Sequence, residues 1–566
     1  MIEYLQADNH TLVSRCDGIL EWHYHSDKTY TDPFNEITLD VIVLAWDGTS
    51  WKLPAFWKTE TVWGVRFAAP VQGTYEIRTV CSDTSNGSLH DVRHTLNVDK
   101  AFHSHAPMLS KDPKRGCLTD QDGTPFFWLS DTWWMALSRR LTYPEAFHTL
   151  LDKRKSQGFN VIQLVAGLFP DMGSFDPRGA NESGLAWQAG YDTINPDYFD
   201  HADDRIFEIV KAGLVPCIVG SWGYYLLEMG KEKMQRHWRN LIARWGALPV
   251  VWCIAAEATM PYYLSDTHTQ DTRRLKEGWS RLAHYISQLD PWHRLLSIHP
   301  VDMGTEEINN PCILDINLLQ ASHFAYQSVA KGTQLLQRAR QVFPAQIPIM
   351  DEINYEEILR GNHAAMQRLS FWSALLNGSK GYGYGANGIW QINTPDEPFG
   401  ASPHGASWGD TPWKDALQYE GATQISTSKK WIETLPWWHL KPMRETIRSL
   451  VESDPKAPYM AGVDDTLRII YLYEMIAPWD PPRYILTRLC SCALYRVDFY
   501  NPAQNKLSLT THVTTANDGT LSLPKPPTME DWVIVMYLEE SRKADISAHP
   551  FSQLLKKLKN RLISVL

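Results

Sequence analysis

The chain has 566 residues, and its 54 Lys+Arg against 64 Asp+Glu give a formal net charge of −10. This balance argues against a nucleic-acid binder, which would present a basic patch or stripe. Hydrophobic residues make up 44% and charged residues 21%, which is ordinary globular usage and excludes disorder of the whole chain. Aromatic residues reach 12%, with 24 Trp, and this excess hints at carbohydrate handling because flat amphipathic rings stack on the apolar faces of sugars.

Targeting and metal-binding patterns are absent from the sequence. The first 18 residues lack a basic segment followed by an apolar one, so we expect no secretory signal. No uninterrupted apolar run of about 18 residues occurs, so we expect no membrane partner. The eight cysteines are scattered without paired metal-ligand spacing. These features predict a cytoplasmic protein with no metal and no cofactor, and they leave homo-oligomerisation open.

The first part of the chain predicts an all-β domain, which we place at residues 1–105. Short alternating apolar runs such as EITLDVIVLAWDG and TYEIRTVCSDTSNG are separated by turn residues, as in a small sandwich. A connector rich in Pro, Gly and Asp follows over residues 101–125.

The middle of the chain predicts a (β/α)8 barrel at residues 106–435. Short apolar runs alternate with amphipathic helical patterns, and near-continuous apolar runs are typical of strands covered on both faces. Eight such strand-then-helix units fit in roughly 260 residues. A doubly wound open sheet is the alternative, but it usually has fewer strands and a Gly-rich phosphate loop after the first. The eight runs are 126–132, 160–167, 215–222, 250–257, 294–300, 315–322, 348–353 and 378–385.

After residue 435 the pattern returns to short strands, including DDTLRIIYLYEM, YRVDFYNP and DWVIVMYL. Residues 436–566 therefore predict a second β-sandwich. The predicted architecture is α/β: a central barrel flanked by an N-terminal and a C-terminal β-sandwich domain.

The ends of the predicted barrel strands carry the candidate site, because functional groups of such barrels gather there. Two carboxylates stand out: Glu257 ends the all-apolar run VVWCIAAE, and Glu352 ends IPIMDE. Strands four and seven lie nearly opposite one another, and glycoside hydrolysis needs a carboxylate pair flanking the scissile bond. The competing interpretation is that each Glu only caps a helix or pairs with an Arg.

Polar and aromatic side chains at the other strand ends are candidates for binding sugar hydroxyls and stacking on sugar rings. Each could also be rim packing, and His with carboxylates at a barrel mouth could instead indicate a metal, although no HxH or HExxH pair is present. The predicted substrate-binding residues are Asp131, Trp133, Gln163, Trp222, His299, Gln320, His323, Tyr355, Tyr384 and Trp390.

A succession of motifs resembles a known family. FFWLSDTWWMALSRR, RKSQGFNVIQ, VPCIVGSWG, VVWCIAAE, LLQASH, PIMDEINYE and GSKGYGYGANGIWQ occur in order over about residues 126–395. Together they resemble the apiosidase-like glycoside hydrolases. DPFNEITLDVI is similar to the β-sandwich that precedes the barrel in many of them, and WHLKPM with DFYNP and DWVIVMYL looks like their C-terminal collagen-binding-like β domain. We do not infer collagen binding from this likeness.

The resemblance implies a retaining glycosidase with Glu257 as acid/base and Glu352 as nucleophile. Two positions depart from the family pattern: Ala256 replaces an Asn that precedes the acid/base in many related barrels, and close apiosidase relatives tend to carry Asp in place of Glu257. We therefore expect an O-glycosidase acting on a small glycoside or oligosaccharide, without assuming apiosidase activity. The alternatives are a carbohydrate-binding barrel without turnover, and a lyase or metal-dependent hydrolase on the same fold.

Overall fold

A computed structural model of the chain describes residues 4–7, 10–15, 18–261, 265–449, 457–473 and 484–540. Within these ranges no helix combines the length and the apolar character that a membrane span requires.

The centre of the protein is an eight-stranded parallel barrel, and the eight strands predicted from the sequence are confirmed. Neighbouring strands follow the order 5-4-3-2-1-8-7-6, so the sheet closes between the fifth and sixth strands, where the backbone N–H of Asp315 donates to the carbonyl of Leu296 at 2.9 Å. Most strand residues are fully buried, as expected for strands between a packed barrel interior and a layer of helices. The strands are Trp128–Thr132, Val161–Val165, Val215–Val219, Val251–Ala256, Leu296–His299, Ile316–Gln320, Ile347–Glu352 and Gly381–Tyr384.

Helices connect the strands, with one exception to the predicted strand-then-helix units. Residues 300–315, all of them described, form only the short 3₁₀ helices Gly304–Glu306 and Pro311–Ile313 between the fifth and sixth strands. A longer helix is disfavoured in this connection because Gly304 is unfavourable in a helix interior and Pro311 is tolerated only in the first turn of a helix. The α-helices around the barrel are Glu145–Gln157, Pro196–Lys211, Tyr225–Trp245, His268–Leu289, Tyr326–Val342, Ala364–Leu376, Trp413–Ala416 and Glu420–Ile432.

The N-terminal β domain consists of two antiparallel sheets of five and four strands. Their inward side chains, including Trp22, Val41 and Ile77, form a separate hydrophobic core. A short helix, Pro33–Glu36, and a small three-stranded sheet (Ser110–Asp112, Cys117–Thr119, Pro125–Phe126) accompany this domain and its connector. The strands are Tyr4–Ala7, His10–Arg15, Ile19–His25, Leu39–Ala45, Ser50–Pro54, Phe56–Thr59, Val62–Phe67, Gly73–Cys81 and Arg93–Val98.

The C-terminal β domain has sheets of six and three strands around its own core, so β structure flanks the barrel at both ends of the chain. The predicted boundaries at 105/106 and 435/436 stay predictions, and residues 541–566 of the last domain lie outside the described ranges. The strands are Lys441–Pro442, Ile447–Ser449, Tyr459–Val463, Leu467–Leu472, Tyr484–Leu486, Leu494–Asn501, Lys506–Thr514, Leu521–Ser522 and Trp532–Glu540.

Candidate active site

A cavity of about 420 Å³ opens at the carboxyl ends of the barrel strands. This volume lies within the ~300–1,000 Å³ of small-molecule sites. Both predicted carboxylates line the cavity, at the ends of the fourth and seventh strands. The cavity therefore lies where the fold places catalytic groups in barrel enzymes.

A β-bulge precedes each of the two glutamates. Leu319 pairs with Met350 and Gln320 pairs with Glu352, so Asp351 is an extra residue in the seventh strand. The fourth strand likewise has one extra residue relative to the fifth, between Cys253 and Ala256. Because side chains alternate along a regular strand, one extra residue re-aims the side chains that follow it. In the seventh strand the bulge lets Asp351 and Glu352 reach the same histidine.

Glu352 is surrounded by hydrogen-bond donors. Its Oε2 accepts from the Tyr355 hydroxyl at 2.6 Å, and its Oε1 accepts from Gln320 Nε2 and His323 Nε2, both at 3.1 Å. Burial alone would raise the pKa of Glu352, but hydrogen bonds from His299 and His323 and the positive charge of His299 hold it well below its usual range. This environment favours the ionised form of Glu352.

His299 lies between two carboxylates. Its Nδ1 is 2.9 Å from Asp351 Oδ2, and its Nε2 is 3.3 Å from Glu352 Oε2. Both ring nitrogens thus face acceptors, an arrangement that suits the doubly protonated imidazolium. Burial alone would lower the pKa of His299, yet the contacts with Asp351 and Glu352 raise it to about 10. Gln163 Nε2 donates to the other Asp351 oxygen and so fixes this carboxylate.

His323 has a defined tautomer. The backbone N–H of Tyr355 donates to His323 Nδ1 at 3.1 Å, so the ring hydrogen lies on Nε2. Nε2 then donates to Glu352 Oε1. His323 is therefore a hydrogen-bond donor to Glu352.

Glu257 lies in a different electrostatic environment. Burial, and then the charge of Glu352, raise the pKa of Glu257 to about 7, while the positive His299 opposes this shift. Trp222 Nε1 donates to Glu257 Oε2 at 3.1 Å. The backbone of Glu257 has a φ of 45°, an uncommon conformation for a non-glycine residue and one that often marks a functional site. Near neutral pH this carboxyl group holds a proton that it can donate.

Gln320 connects the two carboxyl groups. Its Nε2 is 3.3 Å from Glu257 Oε1 and 3.1 Å from Glu352 Oε1. These two oxygens therefore lie no farther apart than the sum of the two distances. Within the described residues, the buried Gln320 Oε1 and the buried Trp390 Nε1 have no hydrogen-bond partner. Because such groups are normally satisfied, they are suited to receive ligand hydroxyls.

The structure brings together eight of the twelve residues predicted for the site. All except His299 line the cavity, and His299 contacts Glu352 and packs its ring against Trp134 and Trp222, with centroids 5.5 and 6.2 Å apart. These eight are Glu257, Glu352, Trp222, His299, Gln320, His323, Tyr355 and Trp390.

Four predicted substrate-binding residues are buried away from the cavity wall, and we assign them no direct substrate contact. Asp131 Oδ2 accepts from Arg154 Nε and from Trp133 Nε1, both at 2.6 Å. The polar groups of Asp131 and Trp133 are therefore hydrogen-bonded inside the barrel. Gln163 bonds Asp351 and thereby supports the His299 pair. Tyr384 donates to Glu356 Oε2 at 2.6 Å instead of facing the cavity.

Other residues of the site were not predicted as members of it. Of the two adjacent tryptophans in the motif SDTWW, Trp134 lines the cavity, whereas the predicted Trp133 does not. In the sequence, the signal for Asp351 was its position directly before Glu352. Asp171, whose Oδ2 accepts from Trp408 Nε1 at 3.0 Å, and His404 come from irregular loops with no periodic pattern to reveal them.

No group of three or more His, Cys, Asp or Glu residues in the described ranges is arranged to hold a metal ion.

Comparison with known proteins identifies related domains and structures. The apiosidase-like catalytic domain family matches residues 112–439, and a domain of unknown function (DUF5060) matches residues 18–82. A solved glycoside hydrolase is similar over 78% of this chain and 98% of its own, with 22% identity and a TM-score of 0.61. A glycoside hydrolase family 5 protein from Bacteroides vulgatus covers 78% of this chain and 95% of its own (20% identity, TM-score 0.62). No curated protein sequence matches the chain.

A third structure, described as a candidate glycoside hydrolase from Bacteroides vulgatus, extends the similarity to the flanking domains. It covers 93% of this chain and 99% of its own, with 16% identity and a TM-score of 0.66. At these identities the structures show a shared fold. Together with the family match over more than half of the chain, the barrel defines a glycoside hydrolase. The chain belongs to the apiosidase-like family.

Proposed function

We propose that this protein is a retaining O-glycosidase in which Glu352 is the nucleophile and Glu257 is the acid/base. The observation that carries the proposal is a pair of buried carboxyl groups that share one amide donor and have pKa values shifted in opposite directions. The pKa of Glu257 is raised to about 7, whereas that of Glu352 is held well below its usual range. Two carboxyl groups whose environments separate their pKa values are the signature of an acid and nucleophile pair.

In the proposed first step, Glu352 attacks the anomeric carbon while Glu257 transfers its proton to the departing glycosidic oxygen. The products are a covalent glycosyl-enzyme ester and a free alcohol. In the second step, ionised Glu257 takes a proton from water, and this water displaces Glu352 from the sugar. The Oε1 atoms of Glu257 and Glu352 both lie within hydrogen-bond reach of Gln320 Nε2, which is compatible with the carboxyl separation of ~5–5.5 Å in retaining enzymes.

The cavity supports a small glycoside or oligosaccharide as the substrate. Gln320 Oε1 and Trp390 Nε1 would bind sugar hydroxyls, and the Trp222 and Trp390 rings would pack against the sugar. The deep residues of the cavity are almost fully buried, so the sugar that reacts would be enclosed.

The test is hydrolysis of a panel of aryl glycosides, covering α and β anomers of pyranoses and furanoses, by the wild type, Glu352→Ala and Glu257→Ala. We expect one glycoside to be turned over with retention, seen by NMR of the first-formed product anomer. Both variants should lose at least ~10²-fold in kcat/KM on a poor leaving group. Azide should restore turnover to Glu352→Ala and give a glycosyl azide of inverted configuration.

The control is Glu277→Ala, which removes an exposed glutamate from the helix His268–Leu289 and should behave as the wild type. An inverted first product, or wild-type activity in Glu352→Ala, would contradict the proposal. Saturable sugar binding without turnover would instead identify a carbohydrate-binding barrel. An unsaturated product or chelator-sensitive activity would identify a lyase or a metal-dependent hydrolase.

A further inference from the structure

Three exposed apolar side chains meet at the mouth of the cavity. Val301, Phe324 and Leu359 are 39%, 65% and 54% exposed, and all three line the cavity that contains the two glutamates. They come from the segments that follow the fifth, sixth and seventh strands, which are neighbours in the closed barrel. We call these three residues the apolar rim.

The apolar rim lies farther out than the polar floor. Gln320 and Glu352 are 8% and 7% exposed, whereas the rim residues are a third to two-thirds exposed. A sugar ring held against the two glutamates would therefore leave the rim to the part of the substrate beyond the glycosidic bond. None of the three side chains has a hydrogen-bonding group, so the rim cannot bind the hydroxyls of a second sugar, and only the Phe324 ring is flat enough to stack on one.

The charged residues on this side of the cavity do not alter its apolar character. Lys331 Nζ lies 2.5 Å from Asp302 Oδ1, which joins the helix after the sixth strand to the loop after the fifth. Because these opposite charges pair with each other, they do not favour a substrate of either charge. Asp171 and His404, which also line the cavity, come from segments after the second and eighth strands.

The backbone holds the apolar rim in place through uncommon conformations. Leu359 has a φ of 52°, and Ala325, directly after Phe324, has a φ of 49°. Left-handed backbone is unfavourable for such residues and persists where surrounding structure enforces it, often at ligand sites. Here Asn362 Nδ2 donates to the His323 carbonyl at 3.0 Å, and Asn354 Nδ2 donates to the Ala325 carbonyl at 3.0 Å, so the two loops are tied together.

We infer that the substrate is a glycoside of an apolar, aromatic alcohol, whose aglycone packs against Val301, Phe324 and Leu359. This inference rests on the proposed function, because it assigns the leaving group of that reaction. The aglycone covers the rim in the bound state and leaves as the free alcohol after protonation by Glu257.

The test compares phenyl and 4-butylphenyl glycosides of the sugar and anomer that the wild type hydrolyses. Their leaving groups have nearly equal acidity, so a difference in kcat/KM reports contacts with the butyl chain. We expect the butyl compound to be preferred by about tenfold, since each buried methylene adds to binding. Phe324→Ser and Leu359→Ser should each reduce this ratio at least threefold, and the double variant should bring it near one.

The matched control is Leu509→Ser, which removes a leucine of similar exposure (46%) from the C-terminal strand Lys506–Thr514. The ratio should stay at the wild-type value in this variant. An equal rate for the two glycosides, or a preference for a disaccharide of the same sugar over the butyl compound, would overturn the inference.

A binding measurement separates failure of this inference from failure of the proposed function. Titration of the full chain with 4-butylphenol, followed by calorimetry, needs no turnover. Saturable binding that Phe324→Ser weakens, with no hydrolysis across the panel, would retain the apolar site and reject the glycosidase. Hydrolysis without a butyl preference and without 4-butylphenol binding would retain the glycosidase and reject the apolar site.

Discussion

At the scale of single residues, the site is organised by one imidazolium between two carboxylates. His299 faces Asp351 at 2.9 Å and Glu352 at 3.3 Å, and Glu352 in turn raises the pKa of Glu257. In a buried site each charge changes the protonation of its neighbours, because solvent screens them little. Glu257 and Glu352 therefore have pKa values shifted in opposite directions although both are glutamates.

The pH dependence of kcat/KM in the wild type should show the two different pKa values of Glu257 and Glu352. Glu257 must be protonated for the first step, so kcat/KM should fall as the pH rises through about 7. The acidic limb should lie below the usual range of a glutamate, because the pKa of Glu352 is lowered. The measurement is kcat/KM against pH on a glycoside with a poor leaving group. An alkaline limb above pH ~9 would contradict the assignment of Glu257.

Asp351→Asn should lower the pKa of His299. The negative charge of Asp351 stabilises the His299 imidazolium, and removing an opposite charge at this range is expected to change the pKa of its partner by ~1–3. An NMR titration of the His299 ring in the wild type and in the variant measures the change. Asp315→Asn, just before the sixth strand, is the control and should keep the wild-type pKa of His299. An unchanged pKa of His299 in Asp351→Asn would show that Asp351 has only a packing role.

At the scale of elements, the ends of the strands are irregular where the chemistry lies. Bulges precede both glutamates, and the glycines of the eighth strand and its end allow close approach. A Cβ on Gly383 would meet the Asp351 carbonyl at 2.0 Å, and one on Gly385 would meet the Tyr355 ring at 2.4 Å. These glycines permit contacts that place Asp351 and Tyr355 beside their partners.

Gly385→Ala tests this close approach. The added methyl group must displace the Tyr355 ring, whose hydroxyl lies 2.6 Å from Glu352. We expect kcat/KM to fall ~10–100-fold, since small misplacements of catalytic groups are costly. Gly87→Ala is the control, because no atom lies within 4 Å of its added Cβ.

Tyr355→Phe separates the lost hydroxyl from steric damage to the fold, and the melting temperature of each variant reports folding. A fully active Gly385→Ala enzyme with an unchanged melting temperature would contradict this account.

At the scale of the whole molecule, buried ion pairs join the flanking domains to the barrel. Arg66, on the N-terminal strand Val62–Phe67, bonds Glu21 of its own domain at 2.8 Å and Asp203 of the barrel helix Pro196–Lys211. On the other side, Arg368 forms a two-point contact with Asp531 at 2.7 and 2.8 Å. Both flanking domains therefore pack directly against the helices that surround the barrel.

Arg66→Met should destabilise the protein far more than its exposed counterpart. Removing the arginine takes the guanidinium partner from buried Glu21 and leaves Asp203 with Arg244 alone, which is expected to cost ~3–5 kcal/mol. Arg78→Met removes an exposed partner of Asp91 in the same domain and should cost at most ~1 kcal/mol. Urea unfolding followed by tryptophan fluorescence measures both. Equal losses would show that the Arg66 cluster contributes no more than a surface pair.

Sequence patterns are sufficient to predict the barrel, its eight strands and the two carboxylates at the strand ends. Local patterns carry this information, since strands buried on both faces are continuously apolar and a glutamate that ends one is conspicuous. Local patterns could not distinguish Trp133 from Trp134 as a cavity residue, because both follow the same strand. Packing decides which of the two rings faces the cavity.

The hydrogen bonds and ion pairs of the site could be read only from the tertiary structure. The bulge at Asp351, the imidazolium of His299 and the bridge by Gln320 depend on strands that are distant in sequence and adjacent in space. Asp131 and Tyr384 lie at strand ends in the same way as Glu257, yet the ionic and hydrogen-bond contacts with Arg154 and Glu356 keep them in the interior. The periodicity of apolar residues indicates which face of a strand is buried, whereas long-range packing determines the partner of a buried polar group.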